Sequence, residues 1–292
     1  MNLQLEGKAG LITGAGKGLG RAYALALAKR GAAVLVNNRV REGAPDSAAA
    51  VVEEIRGAGG KAEISHVDVM EKGAAAKMVE QAREAFGRLD YVISNAGVGE
   101  AKRFTKQPEE AFRDIFELNF FAAADLARAS LPHLEESGGG RIVFSMSTAG
   151  ILGAPGMAAY SSSKSALYGL TRALAFEGDG RGVKVNSIAP YAHTQMTDDY
   201  MPPNAKHGVE PERAALCATW LASPACTANG EVFIAGADRV RRARFLTSEA
   251  VIIPADASDE AIDAGMKEAS RKDATHSAGT AQDDFLELLS TL

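Results

Sequence analysis

Short apolar runs alternate with longer helical segments over most of the chain, and this alternation limits the folds that the sequence can adopt. The predicted strands are Ala9–Thr13, Val34–Asn37, Ala62–Val67, Tyr91–Ser94, Arg141–Ser145, Val183–Ile188 and Val232–Ile234. The predicted helices between them are 21–30, 47–56, 71–86, 108–135, 160–177 and 211–222. Strands that alternate with helices build βαβ units. The sequence therefore predicts an α/β fold, a doubly wound parallel sheet with helices on both faces.

The length of 292 residues suits one large α/β domain, or a domain with an appendage. We predict a nucleotide-binding and catalytic domain over residues 1–240 and a C-terminal helical extension over 241–292. After about residue 240 the chain is polar and alanine-rich, with two weak helices at about 258–271 and 281–291 and no clear strand. We interpret this part as an extension packed on the main domain, not as a second catalytic domain.

Composition excludes several classes of function. The net charge of −5 argues against a general nucleic-acid or acidic-membrane binder, and no apolar run approaches membrane-spanning length. Cys217 and Cys226 show no metal-ligand spacing and indicate reduced thiols, and the five histidines are dispersed, so no catalytic metal is predicted. The first residues lack a signal-peptide pattern and the last three lack the basic residue of a peroxisomal signal. We expect a cytoplasmic protein.

A glycine-rich loop follows the first predicted strand. Its positions that bear on binding are Gly14, Lys17, Gly18, Leu19 and Gly20. Glycine permits positive φ and lets the backbone approach a pyrophosphate, and the helix that follows directs free N–H groups at phosphates. A tight glycine turn without a ligand is the simpler alternative, but its place after the first strand of a βαβ chain favours nucleotide binding.

Tyr160 and Lys164 are four residues apart in a predicted helix. Residues at this spacing share one helix face, about 6 Å apart along the axis. A nearby lysine cation favours the phenolate, so we expect Lys164 to lower the pKa of Tyr160 towards neutrality. Such a pair can pass a proton to and from a substrate oxygen, although the spacing alone is common on ordinary helices.

Together these motifs resemble the short-chain dehydrogenase/reductase family. The shared pattern is Thr13-Gly14-x-x-x-Gly18-x-Gly20, then Asn95-Ala96-Gly97, then Tyr160-x-x-x-Lys164. Further matches are Ser147, thirteen residues before Tyr160, together with Asn119 and the segment Asn186–Pro190 followed by Thr194. The resemblance covers about residues 5–240 and implies a Rossmann-type fold. It also implies an NAD(P)-dependent enzyme that interconverts a secondary alcohol and a ketone.

The resemblance assigns four catalytic residues. Tyr160 would be the general acid/base, and Lys164 would lower its pKa and bond the nicotinamide ribose. Ser147 would hold the substrate oxygen, and Asn119 would hold a water that relays the proton. The complete set argues against the alternative from another class, a nucleotide-binding regulatory protein with an inactive site.

Cofactor contacts are predicted from the same motifs and from charge. The expected residues are Gly14, Lys17, Gly18, Leu19, Gly20, Arg39, Asp68, Asn95, Ala96, Gly97, Tyr160, Lys164, Pro190 and Thr194. NAD enzymes of this type usually carry an acidic residue at the end of the second strand, where this chain has Asn38 followed by Arg39. Arg39 and Lys17 could bind a 2′-phosphate, so we favour NADP, with NAD possible. Asp68 would bond the adenine amino group.

A finer resemblance, over nearly the whole chain, is to the dehydrogenase part of the D-specific peroxisomal multifunctional enzymes. It is carried by Gly18–Leu25, Val52–Arg56, Trp220-Leu221 and Asn229–Phe233, and by the placing of Arg241–Phe245. Those enzymes oxidise (3R)-hydroxyacyl-CoA with NAD. The resemblance implies a subgroup that includes bacterial relatives, and it leaves a (3R)-3-hydroxyacyl-CoA dehydrogenase as the alternative.

Two features indicate the substrate side. Tyr191 stands where most of the family has glycine, and residues 193–209, which include Met196, are predicted to form a lid over the substrate. We therefore expect contacts from Ser147, Tyr160, Tyr191 and Met196 to a bulky, apolar ketone or alcohol. The arginines at 239, 241, 242 and 244 are interpreted as a solvated run, with a role in binding CoA as the alternative. The family implies a homodimer or homotetramer.

Overall fold

A computed structural model describes residues 3–198, 208–277 and 279–284. Its strands form one sheet in the order β3-β2-β1-β4-β5-β6-β7-β8. The strands are β1 (Ala9–Ile12), β2 (Ala33–Asn37), β3 (Lys61–Ser65), β4 (Tyr91–Ser94), β5 (Arg141–Ser145), β6 (Lys184–Pro190), β7 (Val232–Gly236) and β8 (Arg239–Ala243). β1 to β7 are parallel and β8 is antiparallel to β7. The predicted doubly wound α/β fold is confirmed.

Helices connect the strands. They are α1 (Gly18–Ala28), α2 (Ser47–Gly57), α3 (Ala74–Phe86), α4 (Glu109–Phe116), α5 (Ala122–Glu136), α6 (Ala149–Leu152), α7 (Ala158–Asp179), α8 (Pro211–Ala222) and α9 (Asp259–Ala269). α2 begins where it does because the Asp46 carboxylate accepts the N–H groups of Ala48 and Ala49. None of the helices among the described residues is long and apolar enough to cross a membrane.

Hydrophobic cores lie on both faces of the sheet. Successive residues of a strand point to opposite faces, so Ile12 packs with α1 and α8 whereas its neighbour Leu11 packs with α3 and α5. All four residues of β1 and of β4 are buried. Burial on both faces explains why these strands are continuous apolar runs instead of alternating patterns.

The helix predicted over 108–135 is interrupted in the structure. A π-helical turn, Glu117–Phe121, lies between α4 and α5. Extra residues in a π-turn shift the helix face, and such turns are frequent at functional sites. Asn119 lies in this turn and is buried. A single apolar pattern over 108–135 does not show such an insertion.

The prediction of no clear strand after residue 239 is wrong. β8 pairs with β7 through a tight turn in which Ala237 and Asp238 both adopt positive φ, at 50° and 57°. This turn type usually carries glycine or asparagine, so the hairpin gives little signal in the sequence. Arg239, Arg241 and Arg242 are exposed on β8. An edge strand gains backbone hydrogen bonds without burying side chains, which is why a charged run can form one.

The chain divides into two compact units, Met1–Ala243 and Arg244–Leu292. Within the second unit, α9 is capped by the Ser258 hydroxyl, and Thr247 pairs with His276 in an isolated bridge. The helix predicted over 258–271 is thus present, whereas that over 281–291 lies mostly outside the described residues. The domain boundary near residue 240 and the packing of the extension stay predictions.

Asp90 anchors the amino end of the sheet. It is 4% exposed, and its carboxylate accepts hydrogen bonds from Lys8 Nζ at 2.9 Å, the Ala9 N–H at 3.0 Å and two Arg88 nitrogens at 2.6 Å. Burial alone would raise the pKa of Asp90, but the hydrogen bonds from Arg88, Lys8 and Ala9 lower it overall. This carboxylate is therefore charged and fully partnered in the folded protein.

Replacing Asp90 by alanine is expected to reduce the free energy of unfolding by about 2–4 kcal/mol at neutral pH, because partly buried cations lose their partner. The contribution of Asp90 is present above its unfolded pKa of about 3.9 and is lost as pH falls through the lower folded pKa. Urea unfolding at several pH values measures it. Asp125→Ala is the control, since Asp125 is exposed and pairs with the exposed Arg128. An Asp90 variant as stable as that control would contradict the prediction.

Candidate active site

A cavity of about 790 Å³ opens at the carboxyl ends of the parallel strands. It extends from the glycine loop across the ends of β4 and β5 to the start of α7. The predicted site residues that line it are Gly14, Lys17, Gly18, Leu19, Arg39, Asp68, Asn95, Ala96, Gly97, Ser147, Tyr160, Lys164, Pro190, Tyr191, Thr194 and Met196. Residues from distant parts of the chain thus meet in one cavity, because the carboxyl ends of parallel strands lie at the same edge of the sheet.

Two predicted site residues do not line the cavity. Gly20 is buried behind the loop, where a Cβ would lie 2.2 Å from the Gly14 carbonyl oxygen. Asn119 lies behind the segment that follows β4. Both lie against the backbone of residues that line it, Gly20 against Gly14 and Asn119 against Val98.

The glycine loop fits a dinucleotide. Gly14 and Gly18 have φ of +63° and +52°, a region that other L-residues rarely adopt. Lys17 precedes α1 and offers no side-chain cap, and no acidic residue occupies the first turn of that helix. The first N–H groups of α1 are therefore free to bind a pyrophosphate at the positive end of the helix dipole.

Polar side chains line the other end of the cavity, where an adenosine would lie. Asn38 Nδ2 donates to Ser47 Oγ at 2.8 Å, next to Gly16, where a Cβ would lie 2.3 Å from the same oxygen. Arg39 Nη1 donates to Asp68 Oδ2 at 2.7 Å. Arg39, predicted to bind a 2′-phosphate, and Asp68, predicted to bond the adenine, therefore form an ion pair with each other.

Lys164 is the most buried charge of the cavity. It is 5% exposed, and its Nζ donates to the Ser145 carbonyl oxygen at 2.7 Å. Burial lowers its pKa from 10.5 to about 8. The Nζ lies 5.9 Å from the centroid of the Tyr160 ring. Spacing on α7 thus brings the two side chains together, and β5 orients the lysine.

The pKa of Tyr160 differs from our expectation. Burial raises it, and a hydrogen bond with Ser147 opposes that effect without reversing it. Desolvation disfavours the phenolate, and Lys164 is itself desolvated and directed at Ser145. The expected lowering of the Tyr160 pKa by Lys164 is therefore not found in this structure, where the pKa is raised. Tyr160 is a protonated phenol here, which suits a proton donor to a ketone oxygen.

Asn119 clamps the segment after β4. Its Oδ1 accepts the Val98 N–H at 2.9 Å, and its Nδ2 donates to the Val98 carbonyl at 2.9 Å and to Ser163 Oγ at 3.0 Å. Gly97 lies between this amide and Lys164, since a Cβ there would be 3.0 Å from Asn119 Oδ1 and 3.3 Å from Lys164 Nζ. Protein groups thus take both Nδ2 hydrogens of Asn119 and one of the two acceptor positions of its Oδ1. Its predicted role in holding a water stays a prediction.

The substrate side of the cavity carries Tyr191, Met157 and Met196. The Tyr191 N–H donates to the Ala235 carbonyl at 2.8 Å, so strand pairing fixes its backbone, while its side chain stays partly exposed. Gly99 has no side chain, and a Cβ built there would lie 3.3 Å from the Tyr160 ring and 3.4 Å from the Met157 side chain. Of the predicted lid over 193–209, residues 199–207 lie outside the described residues.

Several contributing residues were missed at the level of sequence. Ser145 orients Lys164 through its carbonyl, and Ser163 links Asn119 to the Tyr160 carbonyl, to which it donates at 2.9 Å. Arg41 and Ser47 line the adenosine end of the cavity. The position of Ser163, directly before Lys164 on the same helix, could have indicated its role. A backbone carbonyl such as that of Ser145 leaves no signal in a sequence.

A family model described as short chain dehydrogenase matches residues 8–204. The chain belongs to the short-chain dehydrogenase/reductase family. It is 38% identical to the peroxisomal multifunctional enzyme type 2 of Mus musculus over 248 residues, 83% of this chain but only 33% of that enzyme. This confirms the finer resemblance, and the whole mouse enzyme is about three times as long as the matched part.

Two relatives match over most of their length. A short-chain type dehydrogenase/reductase of Mycobacterium tuberculosis is 36% identical over 237 residues, 80% of this chain and 83% of that protein. A versicolorin reductase of Emericella nidulans is 38% identical over 229 residues, 75% of this chain and 83% of that protein. Membership of the family therefore supports an oxidoreductase.

Solved structures of family members are also similar. A short chain dehydrogenase from Mycobacterium avium superposes with a TM-score of 0.80 at 30% identity, covering 94% of this chain and 99% of that chain. A 7α-hydroxysteroid dehydrogenase, complexed with NADH and 7-oxo glycochenodeoxycholic acid, gives a TM-score of 0.75 at 31% identity, covering 81% of this chain and 95% of that chain. The family uses NAD(P), and the residues of this cavity fit such a cofactor.

Proposed function

We propose that the protein is an NAD(P)-dependent oxidoreductase that interconverts a secondary alcohol and a bulky, apolar ketone. The observation that carries the proposal is the meeting of Ser147, Tyr160 and Lys164 in the cavity that also holds the glycine loop. An inactive nucleotide-binding protein has no need for a buried lysine beside a buried phenol, since both cost desolvation energy.

Tyr160 is the proton donor in the direction of ketone reduction. Its phenol is protonated because burial raises its pKa, and Ser147 bonds it. Both hydroxyls reach one substrate oxygen from the same side of the cavity and orient it. The bound cofactor supplies the hydride. In the reverse direction Tyr160 accepts the alcohol proton.

Lys164 and Asn119 support this exchange. Burial lowers the pKa of Lys164 to about 8, so the lysine is mainly protonated at pH 7, and its Nζ donates to the Ser145 carbonyl. Protonated, it stabilises the phenolate that forms when Tyr160 has released its proton. Asn119 holds the backbone of Val98 and thereby the wall of the cavity beside Lys164.

For the cofactor we favour NADP over NAD. The two residues directly after β2 are Asn38 and Arg39, neither of them acidic, and Lys17, Arg39 and Arg41 all line the cavity. Cations at this place attract a 2′-phosphate, and arginine binds phosphate with a planar fork. The complex with NADH belongs to the neighbouring 7α-hydroxysteroid dehydrogenase, and NAD stays the alternative here.

Replacing Arg39 by alanine is expected to weaken NADPH binding by about 10- to 100-fold and NADH binding by less than about threefold, since a charge-assisted bond to the 2′-phosphate contributes about 1.5–3 kcal/mol. Calorimetric titration of both cofactors measures the two affinities. Arg21→Ala is the control, because Arg21 pairs with Glu54 and lies outside the cavity lining. Equal affinities of the wild type for the two cofactors, with no selective loss in Arg39→Ala, would reject the preference.

The apolar substrate class is supported by the cavity wall. Tyr191 and the methionines 157 and 196 are large, and methionine adapts to irregular apolar ligands. One similar protein is named a versicolorin reductase, and one similar solved structure is a 7α-hydroxysteroid dehydrogenase. Versicolorin and hydroxysteroids are both bulky compounds. We also propose that the protein is cytoplasmic and forms homodimers or homotetramers, as short-chain dehydrogenases commonly do.

A rate comparison tests the proposed function. Bulky cyclic ketones, small ketones and 3-oxoacyl-CoA are each offered with NADPH and with NADH, and cofactor oxidation is followed by absorbance. We expect the highest kcat/KM for bulky ketones with NADPH. Selective turnover of 3-oxoacyl-CoA would favour the (3R)-3-hydroxyacyl-CoA dehydrogenase, for which the mouse relative is the supporting observation. Cofactor binding without turnover of any substrate would favour the regulatory alternative.

A further inference from the structure

The Arg39–Asp68 ion pair lies in the wall of the cavity. Both residues line the adenosine end, and Arg39 Nη1 lies 2.7 Å from Asp68 Oδ2. The side chains are 47% and 26% exposed, so the pair is open to solvent and to a ligand. An exposed ion pair of this kind is weak in itself, contributing about 0–1 kcal/mol. It can therefore be broken or shared when a stronger ligand arrives.

Asp68 is the fixed partner of the two. Its other oxygen, Oδ1, accepts the Met70 N–H at 3.1 Å, which ties the carboxylate to its own loop. Burial would raise the pKa of Asp68, but the bonds from Arg39 and Met70 lower it overall, so the carboxylate is ionised. Arg39 has a long side chain and, by contrast, is bound at Nη1 alone in the contacts described. The arginine moves more easily than the aspartate.

We propose that Asp68 limits the preference for NADP by competing with the 2′-phosphate for Arg39, so that the protein accepts both cofactors. The inference rests on the proposed function, in which Arg39 receives that phosphate. Asp68 places a fixed negative charge beside the arginine, and a 2′-phosphate must share or displace it. NADH, which has a neutral 2′-hydroxyl, leaves the pair intact.

Any contact between Asp68 and the adenine ring is common to both cofactors and cancels in the ratio of their affinities. The charge of Asp68 does not cancel, because only NADPH carries the phosphate. The ratio of the NADPH and NADH affinities therefore reports on the effect of the Asp68 charge on the phosphate and not on adenine binding, and the Arg39→Ala background shows how much of that effect acts through Arg39. Asp68 is thus a specificity-determining residue that acts against the phosphate.

A double-mutant cycle tests the proposal. The variants are Asp68→Asn, Arg39→Ala and the double variant, and the dissociation constants of NADPH and NADH are measured by calorimetry at one fixed ionic strength. Asp68→Asn is expected to raise the preference for NADPH about five- to tenfold in the wild-type background and less than about twofold in the Arg39→Ala background. Glu54→Gln is the control, since it removes the same charge from an ion pair outside the cavity lining and should leave the preference unchanged.

Two outcomes overturn the inference. A preference for NADPH that falls in Asp68→Asn would make Asp68 a residue that positions Arg39 for the phosphate. An equal rise in both backgrounds would show general repulsion that does not act through Arg39. Failure of the proposed cofactor preference would give a different result. The wild type would then bind both cofactors equally, and Arg39→Ala would leave both dissociation constants unchanged. Equal binding by the wild type, with a rise in Asp68→Asn that requires Arg39, would still support the competition.

Discussion

Turnover is expected to fall by about 10³-fold when Tyr160 is replaced by phenylalanine, because the substrate oxygen then lacks its proton donor. The phenyl ring keeps the shape of the cavity wall, and Ser147 and Lys164 keep their backbone contacts, with Ala149 and Ser145 respectively. Cofactor binding depends mainly on the glycine loop and the adenosine end of the cavity. The loss should therefore appear in kcat, with the dissociation constant of NADPH changed less than about threefold.

The measurement is the steady-state rate of the most reactive ketone together with a binding titration of NADPH. Tyr168→Phe is the matched control, because Tyr168 lies on α7 two turns further on and does not line the cavity. It should keep turnover within about twofold of the wild type. Undiminished turnover of the Tyr160 variant would overturn the mechanism, whereas a parallel loss in both variants would indicate damage to α7.

Replacing Lys164 by methionine is expected to have opposite effects on activity and on stability. Turnover should fall by about 100-fold or more, since no cation then stabilises the phenolate. The free energy of unfolding at pH 7 should rise by about 1–3 kcal/mol. Folding depresses the pKa of Lys164 from 10.5 to about 8, so the wild type carries the cost of burying a cation. Loss of the bond to the Ser145 carbonyl offsets part of the gain.

The pH dependence of this stability difference has a definite sign. Below about pH 8 the lysine is protonated in both states, and the cost of the buried cation is present in full. Between about pH 8 and pH 10.5 only the unfolded state stays protonated, so the wild type gains stability as pH rises and the advantage of the variant shrinks. Denaturant unfolding at pH 7, 9 and 10 measures this trend, with Lys184→Met as the control. A variant less stable than the wild type at every pH would contradict it.

The predicted elements of the main domain were mostly confirmed because their signals are local. Apolar runs such as Tyr91–Ser94 are typical of central strands, and the structure buries them on both faces of the sheet. The sequence pattern did not predict β8, because backbone hydrogen bonds and not side-chain burial stabilise that strand. β8 is an arginine-rich strand held by backbone bonds to β7, and its turn contains Ala237 and Asp238 where glycine or asparagine is usual.

The catalytic set is an intermediate case. Spacing placed Tyr160 and Lys164 on one helix face, and the structure brings both to the cavity with Ser147. Sequence spacing, however, carries no information on desolvation, and desolvation decides that the pKa of Tyr160 is raised and not lowered. Asn119 shows the same limit. Its presence could be matched to the family, but its bonds to Val98 and Ser163 depend on a π-turn that sequence periodicity does not show.

Motifs and periodicity are properties of contiguous residues, so the family, the parallel sheet and the groups that can transfer a proton could all be predicted without coordinates. Which of those groups meet depends on the three-dimensional packing. Arg39 and Asp68 are 29 positions apart, and Lys164 and Ser145 are 19 apart. Contacts over such separations depend on how strands and helices pack. Charge pairing and burial follow from that packing, and they set the protonation of Tyr160 and Lys164 and the proposed balance between the two cofactors.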